Sequence, residues 1–584
     1  MIYFLILIPL WFIRQIKSIL FWVYLWQLKE YYIGRFFDHF RTEKGKQLNF
    51  NYLNLLKIFL ISGFLCFFLF GWWEGRSLFP LIFTPILILL YFVETIVFLK
   101  NLFQKRLIKP VITKKTGLIL LLLIIIFCFL LVFFYQNFKN LIWFSFWLLI
   151  IDIFTPSLVF LLILILQPLA NLTKSQTIKK AKEKRDKFKK LLVIGITGSY
   201  GKTSTKEFLT TILSSRFKVL STPAHRNTDM AIAQLILDKL NEDIEIFIVE
   251  MAAYKRGEIT SPCQIVKPKI GILTGINEQH MATYGSQENI IKTKYELIEN
   301  LPKDGLSIFN GENFYCLELY QKTEIPKRLC NINKTFGENF MLQSDFWVED
   351  LKVEKEFLSF KAFSKNSKEY TGILPSTKWI PGDSAKFKLN LLGVQNIENV
   401  LLAAACAKEL GINLEEIASA CQKIKPEQGG MVLKKGKEGL NIIDATYSAN
   451  PDGVISHLDY LKIWEGKKII VMPCLIELGR ASKKLHKRIG QKIGEVCDLA
   501  IITTKERFKD LKGGAIEKEM NKDNILFIEN PKKTFEKIKS FTKKDDLPSD
   551  LSVEASAKVE VLAKEDVVLL ESRVPNQLIS LLVS

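Results

Sequence analysis

Four charge-poor apolar stretches, at 55–73, 79–99, 117–135 and 141–166, dominate the first 170 residues and restrict what that part of the chain can become. A helix needs about 20 mostly apolar residues to cross the hydrocarbon core of a bilayer, and each stretch is close to that length or exceeds it. The third has no charge at all. The first has Lys57 near its start, where the long side chain is expected to snorkel to the interface. The fourth carries Asp152 and Pro156 and is expected to tilt or break there. The opening stretch 1–26, interrupted by Arg14 and Lys17, is compatible with a fifth span, a re-entrant pair or an interfacial helix. It lacks the small-residue cleavage site of a signal peptide and is expected to stay in the mature protein. Glu94 and Asp152 fall inside spans, where an unpaired charge costs about 2.5–3.5 kcal/mol. They are expected to contact a lipid headgroup or each other, against the plainer readings of snorkelling or helix pairing.

Loop charges set the orientation. The segment after the opening stretch carries Lys29, Arg35, Arg41, Lys44 and Lys46, and the loop 100–116 carries six Lys/Arg. The loops 74–78 and 136–140 carry only Arg76 and Lys139. The positive-inside rule therefore places the basic loops and everything after the last span in the cytosol of a multi-pass protein of the cytoplasmic membrane. The formal charge of +20 is concentrated in the same way: residues 174–190 hold nine Lys/Arg against Glu183 and Asp186. A basic block directly after an apolar run reads as a juxtamembrane segment attracted to anionic lipid. No aromatic-rich module accompanies it, so no nucleic acid is expected as a partner. The nine cysteines show no paired metal spacing, which suits a reduced cytosolic catalytic part.

Beyond residue 190 short β-rich runs at 191–197, 244–251, 269–274 and 307–310 alternate with amphipathic segments at 203–215, 229–240 and 288–300. That alternation predicts a mainly parallel sheet with helices on both faces. A second alternation, with strands at 441–444, 468–472, 499–503 and 567–570, predicts a smaller α/β domain. The polar stretch 543–564 reads as a loop or insertion.

The strongest local signal is Gly198-Ser199-Tyr200-Gly201-Lys202-Thr203, entered from an apolar strand and left through a helix. Such a loop wraps phosphates with backbone N–H groups and aims a helix N-terminus at them. Lys202 would meet the β/γ-phosphates and the Thr203 hydroxyl would ligate Mg²⁺. The longer Walker spacing needs a glycine where Ile196 stands, so the generic motif is imperfect.

The shorter form from Thr197 to Ser204 resembles the phosphate loop of the Mur ligases, and further segments resemble that family in order over 191–582. By this resemblance Arg226-Asn227-Thr228 matches an Asn-rich substrate-side segment. Glu250 matches a magnesium-binding glutamate, and His280 in TGINEQHMATYGS a histidine serving a second metal ion. Lys294 in KTKYELI matches a lysine that is carbamylated in several members and bridges the magnesium ions. Asn310 and Asn399 match adenine-side asparagines. Asp444-Ala-Thr-Tyr447-Ser-Ala-Asn450-Pro451 and Glu477-Leu-Gly479 with His486 are closest to the members that add D-alanyl-D-alanine.

The apolar and basic stretches give an α-helical membrane domain (1–170) and a basic linker (171–190), and the resemblance implies a P-loop-type parallel-sheet central ATP-binding domain (191–425) and a smaller α/β C-terminal domain (426–584). It implies an ATP- and Mg²⁺-dependent amide-bond ligase. The substrates implied are a peptidoglycan precursor or similar carboxylate and an amino acid or dipeptide amine. The alternatives are a lipid-linked peptidoglycan-modifying or polyglutamate-type ligase, and a nucleotide-binding membrane scaffold without turnover. Four positions depart from the family. Gly430 replaces a phosphate-contacting arginine, for which Lys434, Lys435 or the substrate-side Arg573 would have to substitute. Ala445 replaces an aspartate, Gln395 a histidine and Gly275 an asparagine. Bilayer spans stand where the members acting on soluble UDP-sugars carry a uridine-holding domain, so a membrane-borne carboxylate is expected.

Overall fold

The computed structural model describes residues 2–40, 45, 48, 52–69, 79–104, 107–224, 226–336, 342–365, 382–447, 450–542 and 565–583. The loop 74–78 and the polar stretch 543–564 lie outside the described residues. The chain divides into two compact units, Met1–Lys174 and Ser175–Ser584.

The first unit is helical, with α1 Ile2–Leu28, α2 Ile33–His39, α3 Tyr52–Leu69, α4 Phe79–Phe103, α5 Lys114–Asn137 and the start of α6 Leu141–Asp186. All except α2 are long and apolar enough to cross a membrane. The opening stretch forms one continuous helix through Pro9, Arg14 and Lys17. Nor does α6 break: it passes through both Pro156 and Pro168. A proline removes a single ladder bond, and fully packed residues on either side, Phe144, Leu148, Leu149 and Val159, hold the chain in line. Lys57 corrects the expectation of snorkelling. Its side chain is 1% exposed and is neutralised inside the bundle by Glu94 and Asp152.

In the second unit β1 Leu192–Thr197, β2 Val219–Ser221, β3 Ile246–Glu250, β4 Ile270–Leu273, β5 Leu306–Asn310 and β6 Lys327–Cys330 pair in parallel. A small hairpin, β7 Thr335–Phe336 and β8 Leu342–Gln343, follows. Then β9 Phe346–Val353 joins β6, with β10 Leu358–Ser364 and β11 Ser384–Leu389 added antiparallel beyond it. Among the described residues the order is β11-β10-β9-β6-β5-β4-β1-β3-β2. Alternation along β1 sends Ile194 and Ile196 to one core and Val193 to the other, so the strand is apolar on both faces, as parallel strands are. A second sheet is built from β12 Val432–Lys435, β13 Asn441–Ala445, β14 Lys468–Met472, β15 Leu499–Ile502, β16 Ile525–Phe527 and β17 Val567–Glu571. Its order is β12-β13-β17-β14-β15-β16, parallel except at β12. The carboxyl ends of β1, β3, β4 and β5 lie side by side, and a doubly wound sheet places its ligands at such an edge.

Candidate active site

The turn leaving β1 has to be glycine at two places. Gly198 has φ +155° and Gly201 φ +77°. A Cβ at Gly198 would come within 2.2 Å of Thr274 Oγ1, and one at Gly201 within 2.5 Å of Asn399 Oδ1. The loop is braced from β4, where the Ser199 amide donates to Gly275 O at 2.6 Å and the Thr274 hydroxyl donates to Tyr200 O. The next helix, α7 Lys202–Leu213, starts on Gly201 with no side-chain cap, so its first-turn amides are left for an anion. Lys202 folds back on the loop, donating to Gly198 O (2.8 Å) and Ser199 O (3.1 Å). Burial lowers its pKa despite the Glu250 carboxylate nearby. Ser204 is half-buried on the first turn of α7.

Glu250, at the end of β3, is 2% exposed. It accepts from Thr203 Oγ1 at 3.1 Å and from Asn227 Nδ2 at 2.9 Å, and Lys206 Nζ lies 3.7 Å away. The Tyr447 hydroxyl, from the second sheet, also bonds the Thr203 side chain. One hydroxyl and one carboxylate suit Mg²⁺, which takes few protein ligands and completes its shell with phosphate and water oxygens. Among the described residues no cluster of three or more His, Cys, Asp or Glu side chains offers a self-sufficient metal cage.

Lys294 lies on α8 Gln287–Glu299 and is 3% exposed. Its amine rests 5.9 Å above the Tyr284 ring and has no hydrogen-bond or ion-pair partner among the described residues. Burial, and then the charge of Lys202, hold its pKa well below the ordinary lysine value, against Glu258 and Glu296. A buried amine without a counter-ion is costly. The lowered pKa favours the neutral amine, the form that reacts with carbon dioxide, so the site fits a carbamylated lysine.

His280 sits in the left-handed region (φ +62°), and so does its partner Glu477 (φ +65°). Nδ1 lies 2.6 Å from Glu477 Oε2, and the ring meets Tyr254 edge-on. A carboxylate on one ring nitrogen fixes the tautomer and frees the other to bind, the usual arrangement around a metal-ligating histidine. Burial lowers the His280 pKa, with the Glu477 hydrogen bond opposing it. His486 is different. It is fully buried, its Nε2 accepts from the Leu475 amide at 3.0 Å and its Nδ1 faces Ser482 O at 2.6 Å, so it is a satisfied core histidine.

Asn310 donates to Thr274 O (2.8 Å) and to Glu398 (2.7 Å), whose carboxyl is pushed up to about 7 by desolvation. Asn399 accepts from Thr205 at 3.1 Å while packing against the phosphate loop. Asp444 is held by Lys434 (2.7 Å) and Thr446 (2.6 Å). Asn450 caps the helix Pro451–Leu461 and accepts from Asn277 at 3.3 Å. Thr228 likewise caps the helix Asp229–Lys239. The structure thus gathers Lys202, Thr203, Glu250, Asn227, Asn399 and Tyr447 around one loop; Asp444 and Thr228 bond within their own segments, and Asn450 both caps its helix and meets Asn277.

The departures have physical counterparts. A Cβ on Gly275 would lie 2.4 Å from the Tyr200 ring, so only glycine fits beneath that tyrosine. Ala445 is fully buried and in register with Glu571, which already pairs with His457 at 2.6 Å. An aspartate there would add a second carboxylate to the same sheet face. Gln395 accepts from Ser456 at 2.8 Å. Gly430 ends a 3₁₀ turn at φ +83°, a conformation that disfavours an arginine. Of the three proposed substitutes, Lys434 is committed to Asp444 and Lys435 to Asn441 (2.6 Å). Arg573 alone of them is exposed and without a partner among the described residues. We therefore expect Arg573→Ala to lower kcat about 10- to 100-fold with an unchanged melting temperature, measured by phosphate release and thermal unfolding.

Sequence reasoning missed Lys206, Glu398 and Asn277. Lys206 is fully buried, donating to Thr222 O at 2.7 Å, and Asn277 bridges the two sheets through Asp452 at 2.9 Å. Their signal was position alone, one turn past the phosphate loop, beside Asn399 and beside His280.

These features define a phosphate-loop α/β domain joined to a second parallel-sheet domain. A family model of the Mur ligase middle domain matches residues 196–407, and one of the Mur ligase glutamate ligase domain matches residues 431–548. Together they account for more than half of the chain, and the chain belongs to the Mur ligase family. It is 27% identical over 357 residues to the UDP-N-acetylmuramoyl-tripeptide–D-alanyl-D-alanine ligase of Bacillus subtilis, covering 61% of this chain and 71% of that one. With the Escherichia coli enzyme of the same name it shares 25% over 299 residues, 51% of this chain and 61% of the relative, less than two thirds of it. Its fold is similar to that of MurF from Acinetobacter baumannii (TM-score 0.56, 21% identity, 70% of this chain and 80% of that). It is also similar to the ADP complex of MurF from Thermotoga maritima (TM-score 0.52, 21% identity, 70% and 83%).

Proposed function

We propose that the chain is a membrane-anchored, ATP-dependent amide-bond ligase acting through an acyl phosphate on a peptidoglycan precursor or a related cell-envelope carboxylate. The observation that carries this reading is the convergence of Thr203, Glu250, unpartnered Lys294 and His280 at one end of the phosphate-loop sheet. The boundaries 1–170, 171–190, 191–425 and 426–584 divide anchor, linker, nucleotide domain and C-terminal domain. A carboxylate oxygen attacks the γ-phosphorus of ATP and ADP leaves. An amine of an amino acid or dipeptide then attacks the acyl carbon and phosphate leaves, giving the amide. In the first step Lys202, released from the loop carbonyls, meets the β/γ-phosphates, and the α7 amides hold the charge that develops. Glu250 fixes the Thr203 hydroxyl, and Asn310 and Asn399 stand on the adenine side. Thr203 and Glu250 would hold one magnesium ion, His280 would serve a second and carbamylated Lys294 would contribute to both; bound there, the ions would supply positive charge to the transferring phosphoryl group. The Tyr447–Thr203 and His280–Glu477 contacts draw the C-terminal domain onto the loop, which shields an acyl phosphate from water.

The retained amine at 294 weighs against a scaffold without turnover, because binding nucleotide requires no buried unpaired lysine. The test is mass spectrometry of products from purified protein, ATP and Mg²⁺ with lipid-linked and UDP-linked forms of one peptide and candidate amines. An amide product made preferentially from the lipid-linked form supports the reading. Nucleotide binding without product would leave the scaffold. We place the protein in the cytoplasmic membrane as a multi-pass protein with its catalytic unit in the cytosol. A cysteine at Lys139 is expected to label from outside intact cells and one at Lys109 only after lysis; the reverse pattern would contradict this placement.

A further inference from the structure

The helices of the first unit enclose a cavity of about 870 Å³ whose lining is not that of an inert anchor. Arg14, Lys57, Glu94 and Asp152 line it together. Lys57 Nζ lies 2.9 Å from Glu94 and 2.6 Å from Asp152. Arg14 Nε lies 2.9 Å from Glu94, and its guanidinium reaches Asp152 at 3.5 Å. Gln15 donates a further bond to Asp152 at 3.1 Å. Those two cations and two carboxylates cancel. Lys17, three residues beyond Arg14 on the same face of α1, lines the same cavity and has no carboxylate partner among the described residues. Arg14, Lys17 and Lys57 therefore face Glu94 and Asp152 with one positive charge in excess.

Ion pairs needed only to join helices would be closed off by packing, since apolar residues hold helices together at lower cost than buried charges. Here Lys57, Glu94 and Asp152 are packed away, while Arg14, 15% exposed, and half-buried Lys17 turn to open space. Most of the remaining wall is apolar, with the aromatic rings of Trp22, Phe36 and Phe160 among its residues. Asn101 and Ile108 bring the basic loop 100–116 to the same lining. A surplus cation beside a guanidinium fork suits a phosphate ester, and an apolar wall beside it suits a hydrocarbon chain. We propose that this cavity binds the phosphate headgroup of an anionic lipid, from the face of the bilayer on which the basic loops lie, with the lipid chain against the aromatic wall. The proposal rests on reading the five helices as spans and is independent of the ligase chemistry.

The test uses the full chain in detergent, examined by native mass spectrometry with phosphatidylglycerol, a polyprenyl monophosphate, phosphatidylcholine or inorganic phosphate. Both anionic lipids are expected to be retained at least tenfold better than phosphatidylcholine, and Lys17→Gln is expected to remove about tenfold of that retention without lowering the melting temperature. Displacement of bound lipid by millimolar inorganic phosphate would identify a soluble-anion site and overturn the lipid assignment. Equal retention of phosphatidylcholine, or full retention by Lys17→Gln, would overturn the proposal outright. Should Lys17→Gln fail to fold, a diazirine-bearing phosphatidic acid on the unaltered protein decides it. Crosslinks on α1 and α2 support the site, and crosslinks confined to α5 refute it.

Discussion

Lys202→Ala is expected to lower ATP turnover by at least about 10³-fold while leaving the melting temperature and membrane insertion unchanged. The size follows from the work a single cation does on a transferring phosphoryl group, roughly 10³–10⁵ in rate. The selectivity follows from its contacts: among the described residues the amine bonds to Gly198 O and Ser199 O and forms no ion pair. Its neighbour Lys206 makes the useful contrast. Lys206 is fully buried, bonds Thr222 O and stands 3.7 Å from Glu250, so Lys206→Ala is expected to destabilise the domain as well as slow it. Phosphate release in detergent, paired with thermal unfolding of each variant, separates the two lysines. Near-normal turnover in Lys202→Ala would remove the phosphate-loop reading.

What was legible in advance was whatever rests on local pattern. The long apolar helices, the strand before Gly198 and the turn itself follow from hydrophobic periodicity and from glycine's tolerance of positive φ, and both act over a few residues. Pairings across the chain were not legible. Lys57 read as a snorkelling lysine because its partners lie 37 and 95 residues away. The antiparallel edge β9–β11 went unread because an edge added to a parallel sheet has no signature beyond ordinary alternation. Glu477 was visible only as part of a C-terminal segment; that it holds His280, 197 residues earlier, is a property of how the two sheets meet. Gly275 read as a missing asparagine until the Tyr200 ring accounted for the space. Asn450 and Thr228 match nucleotide- and substrate-side positions and each also caps a helix, because Asn and Thr serve both purposes with the same atoms.

Lys294 gives the second large effect, and it separates stability from activity. The folded site disfavours the ammonium, so in the absence of carbon dioxide the amine holds its proton less tightly in the folded chain than in the unfolded one. The sign follows: between the depressed folded pKa and the ordinary lysine value of 10.5, stability rises with pH, and at neutral pH the residue is a burden. Lys294→Met keeps the length, removes the amine and is expected to raise stability by about 1–3 kcal/mol in bicarbonate-free buffer, the usual cost of an unsatisfied buried polar group. The same variant is expected to lose ligase activity by about 10³-fold. In the proposed carbamylation the neutral amine attacks carbon dioxide, forming a carbamate and releasing one proton, so modification would be favoured by bicarbonate and rising pH and reversed by acid. Dialysis against carbon-dioxide-free buffer at low pH should silence the native protein, and bicarbonate at pH 8 should restore it. Lys294→Ala leaves room for a short carboxylate, and acetate or formate should recover part of its activity without affecting Lys294→Met, whose side chain fills the space. Full activity in Lys294→Ala without added carboxylate would reduce Lys294 to a helix lysine that happens to be buried. A Lys294→Met protein that is both inactive and less stable than the native chain would mean that the amine has a partner in the fold, and the carbamate reading would fail with it.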